Sequence, residues 1–222
     1  MARATATPDR LIRTAAELFA SQGYGQTGVT EIMEKAQATA GSFYHFFPAK
    51  EDLLLAVVDH VAATIESEGL GSAGRADGDP IRRVFGLFRY YRRQLLDNDF
   101  ALGSPIGTLA GELSESHPEV RGKIAQLFEN LVRRIEGLLH EAHGLDAGVD
   151  HRRLARHILT TLEGAALQAR VRHNIDCFDA SVDQLQIFLS MLSSARETAM
   201  SDSTDVESRE RRDRTPADWR AW

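Results

Sequence analysis

Apolar residues recur along this chain at helical spacing, and no stretch reads as the alternating pattern of a half-buried strand. Leu11, Ile12, Ala15, Leu18 and Phe19 form the first stripe, opened by Thr7-Pro8-Asp9 and closed by Gly23. Val29, Ile32, Met33 and Ala36 predict a second, short helix, with Thr27 placed to cap it. Gln37-Ala38-Thr39 interrupts the pattern. Residues 40–46 predict a third helix, capped by Thr39 and stopped by Pro48, which has no amide hydrogen to donate. A fourth helix is expected over 51–67, with Leu54, Val57, Val58, Val61 and Ile65 on one side, and the glycine-rich run 68–78 reads as a loop.

Asp79-Pro80 restarts the helical pattern, and Ile81, Val84, Phe85, Leu87, Phe88 and Tyr91 give a broad apolar face. A nearly uncharged stretch follows, richest in small residues over 103–113. Ser116-His117-Pro118-Glu119 has the capping-box pattern at the head of a helix over 118–143. Two more helices are expected over 150–173 and 181–199. From residue 200 the chain is charged and almost free of aliphatics, so 200–222 is expected to be a disordered tail, in which Trp219 and Trp222 are out of place. The whole reads as all-α, with about nine helices.

Composition narrows the function only modestly. The chain has 222 residues, enough for one domain or two small ones. No apolar run approaches the roughly 18–20 residues of a membrane span, and MARATATPDR lacks the apolar segment of a signal peptide. A cytoplasmic protein with no membrane partner is therefore expected. The single cysteine, Cys177, excludes an internal disulfide and fits a reducing compartment. Net charge is -6. Residues 1–50 carry five bases (Arg3, Arg10, Arg13, Lys35, Lys50) and four acids (Asp9, Glu17, Glu31, Glu34), hence +1, which leaves −7 for the remainder. That asymmetry is too small to announce a nucleic-acid binder.

The third helix carries the chemistry. Its leading end holds only small or hydroxyl residues: Thr39, Ala40, Gly41 and Ser42. Such an end can press its amide N–H groups against a phosphate or a base edge. Tyr44 and His45 follow on the exposed side, with Phe43, Phe46 and Phe47 as anchors to the core. This is the layout of a helix-turn-helix reader of the DNA major groove.

The run from Thr39 through Tyr44-His45, Phe47-Pro48 and Lys50-Glu51 to Leu53 resembles the recognition-helix signature of the TetR family of transcriptional regulators. Two positions depart from it: Gln37 stands where the family usually has Gly, and Ala40 where it often has Lys or Arg. The resemblance implies a DNA-binding head over 1–50, linked by helix 51–67 to a ligand-binding and dimerisation body over 68–199. It implies that Thr27, Thr39, Ala40, Gly41, Ser42, Tyr44, His45 and Lys50 face double-stranded DNA. Thr27, Tyr44 and Lys50 would touch phosphates, and Ala40, Gly41, Ser42 and His45 would lie nearest base edges.

It further implies a homodimer built on the last two body helices, with Leu162, Ala165, Ala166, Ala169, Leu185, Phe188, Leu189 and Leu192 at the interface; internal core is the alternative use of those residues. A pocket for a largely apolar or aromatic small-molecule effector is expected among Phe85, Phe88, Tyr91, Ser104, Ile106, Thr108, Phe128 and Leu131. The 103–113 stretch resembles a segment of one TetR subgroup in which Cys often precedes the Pro. Ser104 stands there instead, so thiol sensing is not expected, and a close helix crossing is an equal use of its small residues. The expected function is a repressor released from a pseudo-palindromic operator by its effector. The alternatives are an activator of the same fold, or an all-α small-molecule-binding protein or enzyme. No catalytic constellation or cofactor motif supports the last. His140, His143, His151 and His157 are near one another in sequence, but no Cys or carboxylate cluster completes a metal-ligand set.

Overall fold

The computed structural model describes residues 8–71, 79–113, 115–142, 145, 148–201 and 219. Helix α1 (Pro8–Gln22) buries Leu11, Ala15, Leu18 and Phe19 and ends at Gly23, whose φ of +88° only glycine adopts without strain. Helix α2 (Val29–Lys35) starts from Gly28 rather than from a Thr27 cap. The Thr27 hydroxyl turns back instead and donates to the Gly23 carbonyl at 2.7 Å. Helix α3 (Ala40–Phe46) is capped as expected, the Thr39 hydroxyl accepting from the Ser42 amide at 3.1 Å. The turn between α2 and α3 places Gln37 at φ +50°, the left-handed region that a side chain disfavours.

Helix α4 (Lys50–Thr64) does not break at residue 67. It widens into a π-helical turn (Ile65–Leu70) that buries Ile65, Gly69 and Leu70. Gly69 permits this approach: a Cβ there would stand 2.8 Å from the Leu87 Cδ1. Residues 68–70 are thus helical and not loop, and 72–78 lie outside the described residues.

The body holds α5 (Pro80–Asp97), α6 (Pro105–Leu113), α7 (Pro118–Glu141), α8 (His151–Arg172) and α9 (Asp176–Ser201), which makes nine α-helices and no strand among the described residues. Asp79 caps α5 by accepting from the Ile81 amide. The capping box expected at α7 does not form: His117 is the N-cap with no side-chain bond to the helix, and Ser116 is drawn to the His117 ring at 2.7 Å. Helix α9 begins five residues before the expected 181, because Asn174 accepts from the Asp176 amide and starts the turn there.

Phe85 and Phe88 of α5 are fully buried, and their rings meet Phe178 of α9 and Trp219. Trp219 is 0% exposed, stacks on Phe85 with centroids 6.5 Å apart, and donates its indole N–H to Asp183 at 2.8 Å. The expected disorder therefore fails at this residue; 202–218 and 220–222 lie outside the described residues.

Candidate nucleic-acid interface and ligand cavity

Helix α3 divides its side chains between two environments. Phe43 and Phe47 are buried, while Thr39, Ala40, Gly41, Tyr44 and His45 are exposed and Ser42 is half-buried. Phe46 does not anchor to the core as expected. It is 37% exposed and rests its ring against His45 at 5.0 Å, because it follows the helical rotation onto the outer side. The exposed face is small at its leading end and aromatic behind.

Two residues of the expected DNA face are absent from it. Thr27 is 1% exposed, with its hydroxyl engaged by the Gly23 carbonyl and by the Gln22 amide. The Lys50 ammonium lies 3.8 Å from the centroid of the Tyr24 ring and donates to the Tyr24 carbonyl at 2.5 Å. Burial pushes the Lys50 amine below its ordinary pKa, and nearby Glu112 opposes that shift. An ammonium held on an aromatic face and a carbonyl is a structural contact.

Tyr24 marks a joint between the α1–α2 loop and the body. Glu112, near the end of α6, accepts from two successive amides of that loop: Tyr24 at 2.8 Å and Gly25 at 2.5 Å. The Tyr24 ring also meets Phe19 and His117 edge to face, each at 5.2 Å. Burial raises the Tyr24 phenol pKa, helped by Glu51 and Glu112. The sequence lends Glu112 no distinguishing mark beyond being an acid at the end of a nearly uncharged segment.

The start of α6 borders a cavity of about 660 Å³, enclosed with parts of α7 and α8. Of the residues expected around an effector pocket, Ser104, Thr108 and Phe128 line this cavity, joined by Leu159, Glu163 and Arg170. Phe85, Phe88, Ile106 and Leu131 do not line it. They are buried in the packing of the helices themselves. Tyr91 stands behind the wall and reaches it through its hydroxyl, which donates to the Glu163 carboxylate at 3.0 Å.

Glu163 is the unusual group. Burial raises its pKa, while hydrogen bonds from Ser104 and Tyr91 pull the other way. Ser104 accepts from the Ile106 and Gly107 amides as the cap of α6, so its own proton is left for its neighbours Glu163 and Tyr91. Gly107 matters here, since a Cβ would sit 3.0 Å from the Glu163 Oε2. Arg170 packs its stem against Gly103 and donates to the Thr108 hydroxyl at 3.1 Å.

The expected dimer residues sort differently. Leu162, Ala165, Ala166, Ala169, Leu185 and Leu189 are all buried within the chain, where α8 packs on α5, α7 and α9. Leu192 is half-buried, and only Phe188 is exposed, at 42%. The apolar residues on the outside are Leu167, Val171, Ile187, Phe188 and Met191, at helical spacing on the two neighbouring helices.

His140 and His151 meet with their Nδ1 atoms 2.8 Å apart. Burial and the neighbouring ring lower the His151 pKa. His157 rests on Phe188 instead, and His143 lies outside the described residues. Among the described residues no three His, Cys, Asp or Glu side chains come together as metal ligands. No helix among them is long and apolar enough to cross a membrane.

Comparison with known proteins agrees with this geometry. Residues 11–57 match the family described as bacterial regulatory proteins, tetR family, and residues 80–184 match the LmrA/YxaF-like transcriptional regulator C-terminal domain. An uncharacterized HTH-type transcriptional regulator of Mycobacterium tuberculosis is 31% identical over 192 residues, covering 82% of this chain and 93% of its own. The HTH-type transcriptional repressor DhaR of a Mycobacterium species is 26% identical, covering 81% of this chain and 89% of its own. The crystal structure of the regulatory protein TetR from Rhodobacter sphaeroides superposes with a TM-score of 0.70 at 26% identity, covering 80% of this chain and 95% of that one. With the helix-turn-helix at its head and these similarities along both halves, the chain belongs to the TetR family of DNA-binding transcriptional regulators.

Proposed function

We propose that the protein is a homodimeric repressor that leaves a pseudo-palindromic operator when a small molecule enters the cavity beside α6. The observation that carries the reading is α6 itself. Its first turn borders the cavity through Ser104, Gly107 and Thr108, and its last turn holds the head through Glu112. Nine residues span both ends, about 13 Å of helix. A ligand that shifts the first turn therefore shifts the loop that carries Tyr24 and Gly25. Its leverage equals its difference in affinity between the two positions of the head.

The face offered to DNA is Thr39, Ala40, Gly41, Ser42, Tyr44 and His45. With Lys50 and Thr27 turned inward, phosphate contact falls mainly to Tyr44 and to the amides at the start of α3. The second copy is proposed to cover Leu167, Val171, Ile187, Phe188 and Met191. Leu167 also lines the cavity, so the partner would close part of its mouth. As a DNA-bound regulator, the protein would act in the cytoplasm.

Selection of bound sequences from random duplex DNA at near-physiological salt tests the reading. An inverted repeat is expected, with half-site centres about 34–36 Å or somewhat more apart. Replacing both Tyr44 and His45 by Ala should weaken operator binding by about tenfold or more at fixed salt. Unchanged affinity in the folded double variant would remove α3 from the interface.

A further inference from the structure

We infer that the cavity selects an apolar molecule whose head donates hydrogen bonds, an amine or a hydroxyl compound, and that Glu163 is the residue that receives it. The inference rests on the effector reading above and names the chemistry of that same site.

Glu163 lies on one stripe of α8 with Arg156 and Arg170, seven residues to either side. Each arginine is therefore about 10.5 Å away along the helix axis. Both line the cavity, yet neither neutralises the carboxylate. Arg156 approaches Glu129 at 3.9 Å, and Arg170 is held on the Thr108 hydroxyl. Among the described residues Glu163 has no cationic partner within 4.0 Å. Its two bonds come from neutral hydroxyls, Tyr91 and Ser104. A carboxylate has about four lone-pair sites, so acceptor capacity remains on the cavity side. A buried charge without a counter-ion gains most from a donor that arrives with the ligand. The walls beside it are Leu159, Phe128, Val132 and Leu167, which suit an apolar body and offer no competing acceptor. A ligand carboxylate placed at this depth would meet Glu163 as a like charge.

The protein supplies its own specificity device in Gly107. Because Glu163 Oε2 would lie only 3.0 Å from a Cβ there, any larger residue would push the carboxylate from its place between Ser104 and the cavity. Tyr91 and Ser104 are positioning residues, since their hydroxyls hold the carboxylate in place and leave its remaining acceptor sites to the ligand.

The test uses the full-length protein and three fluorescent probes with one apolar body: pyrenebutylamine, pyrenebutanol and pyrenebutyrate. The amine and the alcohol are expected to bind the wild-type protein at least about tenfold more tightly than the carboxylate, a gap worth about 1.4 kcal/mol, and the amine more tightly than the alcohol because its charge pairs with the carboxylate. Glu163→Gln keeps the shape and one acceptor oxygen but removes the charge. It should abolish the advantage of the amine over the alcohol while leaving the alcohol within about threefold. Thermal unfolding of Glu163→Gln without probe checks that the fold is intact. Tightest binding by the carboxylate, lost in Arg170→Ala, would overturn the inference and make this an anion site. Equal binding of all three probes, or an amine advantage that survives Glu163→Gln, would overturn it as well. Probe displacement from the operator is read separately. Glu163-dependent amine binding without release of DNA would uphold the ligand class and refute the effector reading.

Discussion

Replacing Glu112 by Ala isolates the link between cavity and head. The side chain makes two charge-assisted bonds to the Tyr24 and Gly25 amides, at 2.8 and 2.5 Å. Hydrogen bonds to charged groups contribute about 1.5–3 kcal/mol each when shielded from water. Both amides here face solvent, so water can replace the carboxylate, and a total of about 1.5–3 kcal/mol for the pair is the better figure. The truncation leaves no buried group unsatisfied, so the fold should persist. Most of the loss should appear as lost communication: a compound that releases the wild-type protein from its operator should release the variant with roughly 10- to 100-fold less change in DNA affinity. The assay is fluorescence anisotropy on a labelled operator at fixed salt, with and without saturating compound. Amide hydrogen exchange should show protection lost at Tyr24 and Gly25 in the same variant. Glu112→Gln should fall between, since one amide oxygen can accept only part of what the carboxylate accepts. A Glu112→Ala protein whose DNA affinity still responds fully to the compound would refute the role given to α6.

Three further outcomes follow from single residues. Gln37→Gly relieves a side chain held at φ +50°. The relief is offset in part by the greater freedom of glycine in the unfolded chain, so a gain of about 0.5–1 kcal/mol in denaturant unfolding is expected, and a loss would mean that the Gln37 side chain contributes to the turn. Glu163 has a raised pKa, so the native state keeps its proton to higher pH than the unfolded chain does. Wild-type stability should therefore fall as pH rises from the ordinary carboxylate range through the raised native value, while Glu163→Gln lacks this loss; the advantage of the variant should grow with pH in thermal unfolding, and a constant gap would contradict it. Trp219→Ala empties a fully buried site between Phe85 and Phe178 and should cost about 3 kcal/mol of stability, with Trp219→Phe costing less because only the indole bond to Asp183 and part of the stacking are lost. In a Trp222→Phe background, Trp219 emission should be blue-shifted and shielded from acrylamide; emission like that of free tryptophan would show that the tail does not dock.

Local information was enough to place the helices in order and to read the recognition helix, but not the helical turn over Ile65–Leu70 or the start of α9. The period of apolar positions set which residues of α1, α5, α7 and α8 are buried, because a helix exposes its pattern within its own sequence. The caps at Thr39 and Asp79 needed only neighbours two or three residues away. The face carrying Ala40, Gly41, Tyr44 and His45 was legible for the same reason, as one short run on one helix. What failed locally was choosing between two partners for one residue. Thr27 could cap α2 or turn back to Gly23, and it turned back; Phe46 could pack inward or follow the rotation outward, and it went outward.

Only the tertiary structure decided the groups that act between elements. Glu112 meets the amide of Tyr24 across 88 positions, and Tyr91 meets Glu163 across 72. In sequence both glutamates look like ordinary solvated charges on helices. Lys50 looked free to reach a phosphate until the Tyr24 ring and carbonyl came to lie beside it. The alanines of α8 looked suited to a second subunit, but neighbouring helices of the same chain bury them and leave Leu167 and Val171 outside. Periodicity states that a face will be covered. The element that covers it follows from how the helices share one core, and that is a property of the packing and not of any stretch of the chain.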